Sequence, residues 1–407
     1  MGESRIVLVV CDGLGDRPVP ELNHRTPLEA AKTPHLDALA ARGITGLMHA
    51  LGRGKTPGSD TSHLNILGYD YEQFYSGRGT IEVAGLGMEL REGDVALRGN
   101  MGTVDEHLCI LDRRAGRIRD TAPFARLLDG LEIEGVRFLV RPGTAHRLGI
   151  ILRGEGLSAH ITDNDPHEPG LEVWEVKPRD RSHEAARTAT VLNRFLAKAH
   201  EILRESEENR RRVAEGQLPA NYVLVRGAGF YRHVPPFEQR HGLTACCIAG
   251  GGLYKGLGAY TGMKVIEVEG ATALPNSDIR AKFRKTREML AGYDFIFTHV
   301  KAADSLGEDG DWAGKRDFIE RLDEAAELLL DVDAIVCVTA DHTTPCMLKK
   351  HSADPVPILM AGQGVRVDHV KEFGERAVMT GGLGRMVGTD VMPELLNLIG
   401  QYKLVGA

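Results

Sequence analysis

The chain has 407 residues, which is long for one small core and suggests two domains or one large domain carrying an insertion. Lys and Arg number 50 against 57 Asp and Glu, a formal charge of -7, so the concentrated basic footprint of a nucleic-acid partner is absent. Aromatic residues are only 5% and glycines number 48, which favours a layered protein with many tight connections over an aromatic recognition surface.

In chain order, residues 5–11, "RIVLVVC", read as a strand buried on both faces that ends at once in the loop "DGLGD". The run is too short for a membrane, follows an acidic residue and not a basic leader, and no stretch approaches the roughly 20 apolar residues of a span. The expected location is the cytoplasm. Cys11, Cys109, Cys246, Cys247, Cys337 and Cys346 form no CxxC pair or disulfide-like spacing, and a reducing compartment fits them. Residues 34–43 suit a short helix, with Pro near its start and Gly after its end.

Between about residues 90 and 235 the pattern changes. Short pieces at 138–141, 146–154 and 171–176 read as strands, followed by a long helix with Leu192, Phe195, Leu196, Ala199, Ile202 and Leu203 in its apolar stripe. Strand patterns then recur at 243–250, 264–268, 293–300, 333–340 and 356–362, with helices expected at 278–291 and 313–331 and a last one after Thr389. Such alternation is the signature of βα units and a mostly parallel sheet.

Residues 56–70, "TPGSDTSHLNILGYD", crowd hydroxyls, Asp60 and His63 ahead of a short helical pattern. The polar end can cap that helix, or it can hold a nucleophilic hydroxyl at its N-terminus. Several other strands end in acids and imidazoles: "VVCDG" at Asp12, "FTHVKAAD" with His299, Lys301 and Asp304, and "VTADHTTP" with Asp341 and His342. "KKHSADPVP" places His351 just before another strand. One such cluster can be turn capping. In an open α/β sheet, however, the carboxyl ends of parallel strands share one edge, so repetition predicts a common site. Carboxylates with imidazoles suit Mn²⁺ or Zn²⁺, and a divalent pair relieves their repulsion while binding phosphoryl oxygens.

The motifs "VVCDGLGDRP", "TPLEAAKTPHLDALA", "GSDTSHLNILGYD", "ITDNDPH", "HVKAADSLGEDGD", "TADHTTPC" and "HSADPVP", in this order, resemble the archaeal-type cofactor-independent phosphoglycerate mutases of the alkaline phosphatase superfamily. The resemblance covers nearly the whole chain. It implies an α/β fold: an alkaline-phosphatase-like mostly parallel sheet flanked by helices, with an inserted smaller α+β domain. The expected boundaries are 1–90 with 236–407 for the metal-binding core, and 91–235 for an inserted domain that caps the substrate and excludes water.

The resemblance further implies interconversion of 3-phosphoglycerate and 2-phosphoglycerate, in glycolysis and gluconeogenesis, through phosphoserine at Ser59, without bisphosphoglycerate. Two divalent ions are implied, Mn²⁺ foremost, with Zn²⁺, Co²⁺ or Mg²⁺ as alternatives. Asp12, Ser59, Asp341 and His342 would hold one ion; Asp304, His351 and Glu308 the other, Glu308 standing where the family commonly has His. His63, Asp163, His167, Arg226, Lys255 and Lys301 are the expected substrate contacts, and Asp165 the acid–base group. The only expected partner is the small-molecule substrate; a homo-oligomer is left open. The alternatives are a metal-dependent phosphomonoesterase or other phosphomutase, and a non-catalytic metabolite-binding relative.

Overall fold

The computed structural model describes residues 5–401, so Glu3, the acidic residue read ahead of the first strand, lies outside it. Contacts divide the chain into two units, Met1–Tyr75 with Pro235–Ala407, and Ser76–Val234.

The discontinuous unit is built on an eight-stranded sheet. Its order is Lys264–Ile266, Ala245–Ile248, Phe295–Val300, Arg5–Cys11, Ala334–Thr339, Val356–Ala361, Gly43–His49 and Gly384–Val387. Arg5–Cys11 lies near the centre, parallel to both neighbours, with Ile6 against Phe295 on one side and Ile335 on the other. Its interior residues are buried because helices cover both faces of a parallel sheet, which is why the run reads as continuously apolar. Val356–Ala361 is the exception to the parallel rule, running antiparallel to both neighbours.

Most expected elements form, with ends trimmed. The helices read at 278–291 and 313–331 span Ile279–Met289 and Trp312–Ala326. Asp278 and Asp311 cap their starts, accepting from Ala281 N and Gly314 N. The last helix, Val391–Leu398, takes Pro393 in its first turn, where no intrahelical N–H is lost.

The second unit is a six-stranded sheet ordered Ile110–Asp112, Val95–Val104, Arg147–Arg153, Val136–Pro142 and Glu132–Ile133, with Tyr222–Phe230 also paired to Val95–Val104. All its pairs are antiparallel. The helix His183–Glu205, capped by Ser182, buries Leu192, Phe195, Leu196 and Ala199 in the core of this unit, where Phe195 stacks on Phe138 with centroids 4.0 Å apart. Ile202 is only partly buried at the edge of that core.

Three readings need correction here. The run 171–176 forms no strand; it makes an isolated bridge between Glu172 and Cys109, and Trp174 is 53% exposed. Val95–Val104 and Tyr222–Phe230 were not expected as strands, because buried Arg98, Asn100 and Thr103 and several glycines break any apolar alternation. The chain enters the second unit at 75/76 and not at 90/91, because helix Arg78–Gly85 packs on these two strands. Gly79 permits that approach, since a Cβ there would strike the Ala96 carbonyl.

Phe195→Ala should destabilise the second unit by about 3–5 kcal/mol. Denaturant-dependent hydrogen exchange at the amides of Val140 and Ile150 measures it, and unchanged protection there would contradict this account of the core.

Candidate metal centre

The parallel strands of the discontinuous unit deliver their carboxyl ends to one edge, and the chemistry-bearing residues follow directly. Asp12 follows Arg5–Cys11, Lys301 and Asp304 follow Phe295–Val300, and Asp341 and His342 follow Ala334–Thr339. His351 reaches this edge from the opposite direction, since the antiparallel Val356–Ala361 starts where Ala334–Thr339 ends. Gly43–His49 also ends here, and helix Ser59–Ile66 follows it.

Two groups of ligand-type atoms converge, each within 4.8 Å: Asp12, Asp341 and His342 in one, Asp304, His342 and His351 in the other. His342 falls within both groups, whereas the expected division gives it to the first alone. Its ring stacks on that of His351 with centroids 3.6 Å apart. Glu308 stands at the rim, with its side chain 54% exposed and Oε1 4.0 Å from His351 Nε2. Gly13 brings the loops together: at φ +67° a Cβ would sit 2.6 Å from Asp304 Cα.

The charges do not balance. Asp12, Asp304 and Asp341 are buried, with Lys301 Nζ 3.2 Å from Asp12 Oδ2 and 2.5 Å from Asp304 Oδ2, and His351 Nε2 3.3 Å from Asp304 Oδ1. Burial alone would raise Asp12, yet Lys301 and His299 hold it well below the ordinary carboxylate range. Asp304 is held down to about 2 against its own burial, chiefly by the hydrogen bond from His351. Asp341 is left with the conflict, pushed up to about 7 by burial and by the charge of Asp12. Asp12 Oδ1 and Asp341 Oδ2 accept no hydrogen bond, and each lies 3.2 Å from His342 Nε2. Buried, unpartnered carboxylate oxygens converging on an imidazole fit a divalent cation.

Ring orientations agree. His351 Nδ1 lies 2.9 Å from the Pro57 carbonyl and His63 Nδ1 2.6 Å from that of Ser59. A carbonyl only accepts, so both Nδ1 atoms carry a proton, and His351 Nε2 faces Asp304 Oδ1 at 3.3 Å. His63 Nε2 is buried without a hydrogen-bond partner.

The hydroxyls of residues 59–62 separate cleanly. Ser62 Oγ donates to the Gly58 carbonyl at 2.8 Å and Thr61 Oγ1 to the same carbonyl at 3.0 Å, so both serve the helix backbone. Ser59, the first helical residue, places Oγ 3.3 Å from His342 Nε2. Tyr254, whose hydroxyl donates to Asp12 Oδ2, and His299, with Nε2 3.4 Å from Asp12 Oδ2, complete the surroundings. Tyr254 stacks on His299 with centroids 3.4 Å apart. Lys255, its neighbour in the sequence, instead pairs with Glu267 at 2.5 Å. Adjacent helical positions point about 100° apart, and only the fold reveals which faces the site.

Within the second unit, Arg98, Arg113, Arg114, Arg147 and Arg226 line a cavity of about 240 Å³ with Asn100, His146 and His167. The field there is strongly positive: His146 is pushed down to about 4 by burial and neighbouring arginines, and Arg98 down to about 10, mainly by burial. Arg98 Nε and Asn100 Oδ1 are buried and take no hydrogen bond. Asp165 is gripped by Arg113 through two bonds, of 3.0 and 2.6 Å, and His167 Nδ1 lies 3.0 Å from Arg113 Nη2. Burial raises Asp165, but the Arg113 bonds outweigh it and leave the carboxyl below its ordinary value. Asp163 instead accepts from Gly227 N and lines a different cavity. Of the five arginines only Arg226 was singled out from sequence, because they are scattered over strands and loops.

Among the described residues, no helix is long and apolar enough to cross a membrane. The cysteines are free, and all but Cys109 are buried.

A model of the metalloenzyme superfamily matches residues 4–398. The 2,3-bisphosphoglycerate-independent phosphoglycerate mutase 1 of Methanothermobacter thermautotrophicus is 46% identical over 406 residues, covering 98% of this chain and 99% of that protein. Its namesake in Methanocaldococcus jannaschii is 44% identical over 413 residues, covering 100% of both. Among solved structures, a cofactor-independent phosphoglycerate mutase from Thermoplasma acidophilum matches at 37% identity and TM-score 0.73, over 98% of this chain and 100% of that one. A protein from Pyrococcus horikoshii matches at 34% identity and TM-score 0.83, over 100% of both chains. With matches of this length and closeness, and acid–imidazole clusters at its sheet edge, the chain belongs to the 2,3-bisphosphoglycerate-independent phosphoglycerate mutases of the metalloenzyme superfamily.

Proposed function

We propose that this protein interconverts 3-phosphoglycerate and 2-phosphoglycerate by phosphoryl transfer through Ser59, without bisphosphoglycerate. The observation that carries this reading is the Ser59 hydroxyl, 3.3 Å from Nε2 of His342, an imidazole that falls within both carboxylate–imidazole groups. Asp12, Asp341 and His342 would hold one divalent cation, and Asp304 and His351 a second, with Glu308 at its rim. Bound there, such cations would lower the pKa of the serine hydroxyl and offset charge on phosphoryl oxygens. Mn²⁺ suits the mixed oxygen and nitrogen donors, with Zn²⁺, Co²⁺ and Mg²⁺ to be separated by metal analysis.

The serine loses its proton, and Oγ bonds to phosphorus as the ester bond to glycerate breaks. The departing glycerate oxygen takes up a proton, and the second transfer reverses these steps at the other hydroxyl. Lys301 keeps a fixed positive charge beside Asp12 and Asp304, and Tyr254 holds Asp12 in place. The arginine cavity of the second unit suits the planar carboxylate and the phosphoryl group of phosphoglycerate, which guanidinium groups bind in pairs of bonds. A carboxylate already gripped by Arg113 is a weak base, so Asp165 is assigned here to aim Arg113 rather than to carry the proton.

Ser59→Ala should lower kcat on the order of 10³-fold or more while retaining both ions; Thr61→Ala and Ser62→Ala should keep the activity within a small factor. Incubation with 3-phosphoglycerate and Mn²⁺, with product identification, measures this; release of inorganic phosphate alone would instead indicate a phosphomonoesterase.

Asp165→Asn should raise KM about tenfold, the order of one lost charged hydrogen bond, without altering the pH limbs of kcat. Disappearance of a limb would restore Asp165 to acid–base duty.

Cation loading should release protons in two windows. His351 is pushed up to about 9: burial lowers it, but the hydrogen bond and charge of Asp304 prevail, so its proton must be displaced below that pH. Asp341 adds a second proton below about 7. Calorimetry in buffers of different ionisation enthalpy should find about one proton released at pH 8 and about two at pH 6. No release at pH 8 would contradict the His351 assignment.

A further inference from the structure

Thr344 lies two residues beyond His342, and its hydroxyl touches both candidate metal groups. Oγ1 is 2.9 Å from Asp304 Oδ1 and 2.9 Å from His342 Nδ1. A hydroxyl has one proton to give. An ionised carboxylate only accepts, so that proton goes to Asp304, and the Thr344 oxygen is left to accept from His342. His342 must then carry its proton on Nδ1, which directs the Nε2 lone pair toward Asp12, Asp341 and Ser59.

We propose that Thr344 is a positioning residue shared by the two metal groups, fixing the ring orientation of His342 and the carboxylate orientation of Asp304 through one hydroxyl. The inference rests on the two-cation reading above and deepens it.

The backbone around Thr344 is held firmly enough for this task. Its amide donates to the Gly15 carbonyl at 3.1 Å. Its carbonyl accepts from Lys315 Nζ at 2.9 Å, and the same ammonium reaches the Gly15 carbonyl at 3.0 Å and Asp16 Oδ2 at 2.8 Å. Lys315 is fully buried, so its three protons are spent tying the loop after Asp12 to the loop after His342. The hydroxyl is also enclosed, since a Cβ on Gly13 would come within 2.7 Å of Thr344 Oγ1. Thr344→Val therefore fits the same space and removes only the hydrogen bonds, whereas Thr344→Ser keeps the hydroxyl and loses a methyl.

The test compares wild type, Thr344→Val and Thr344→Ser by chelator-competition titration with Mn²⁺, alongside the melting temperature of the metal-free proteins. Wild-type binding of two ions tests the underlying reading by itself. Given that, Thr344→Val should weaken both sites by about 10–100-fold, the usual effect of losing a group that orients a ligand, and Thr344→Ser should restore most of the affinity. Wild-type affinity at either site in Thr344→Val would overturn the shared role. Equal weakening in the serine variant would overturn it as well, by assigning the effect to packing. Nitrogen chemical shifts of His342 in the metal-free wild type need no variant: the proton should reside on Nδ1, and a proton confined to Nε2 would refute the proposal.

Discussion

The structure depends on the repulsion among Asp12, Asp304 and Asp341, which parallel topology forces to one sheet edge. Water would ordinarily dissipate such a conflict, but these side chains are buried. Lys301 answers for Asp12 and Asp304, while Asp341 is left near neutral pH in its titration. Every other feature of the edge can be understood as support for that arrangement. Glycine at position 13 allows the loops to approach, Lys315 binds them together, and imidazoles offer nitrogen donors without adding negative charge.

Helix Ser59–Ile66 illustrates how local and global demands are divided. Its thread of hydroxyls suits either capping or chemistry by pattern, yet the N-cap is Gly58 and no side chain caps the helix. Thr61 and Ser62 bond back to the helix, and Ser59 alone of the three faces His342. Neither role could be assigned from spacing, because all three residues lie within one helical turn of the N-terminus. The resemblance singles out Ser59, whose Oγ lies 3.3 Å from His342 Nε2.

Legibility in the sequence followed the type of signal. Strands such as Arg5–Cys11 and Ala334–Thr339 announce themselves by burial on both faces, and the acids at their ends can be placed on one edge from topology alone. Hidden were the strands whose buried faces are polar. Val95–Val104 carries Arg98 and Asn100 inward, so the pattern that marks a cavity also disguises the element that builds it. Tyr254 escaped because nothing distinguishes it from Lys255 until the helix has a rotation. The closeness of His342 to both groups is likewise invisible in a list of ligands, which carries no distances.

The discontinuity of the first unit has a consequence for synthesis. Arg5–Cys11 leaves the ribosome well before its two partners, Phe295–Val300 and Ala334–Thr339. Ser76–Val234 is continuous and antiparallel, and its strands can pair as they emerge. The nascent chain therefore carries this unpaired, largely apolar strand until Phe295–Val300 has been made, while the intervening unit can already pair its own strands. The central strand of the sheet is thus one that only late-made neighbours can cover.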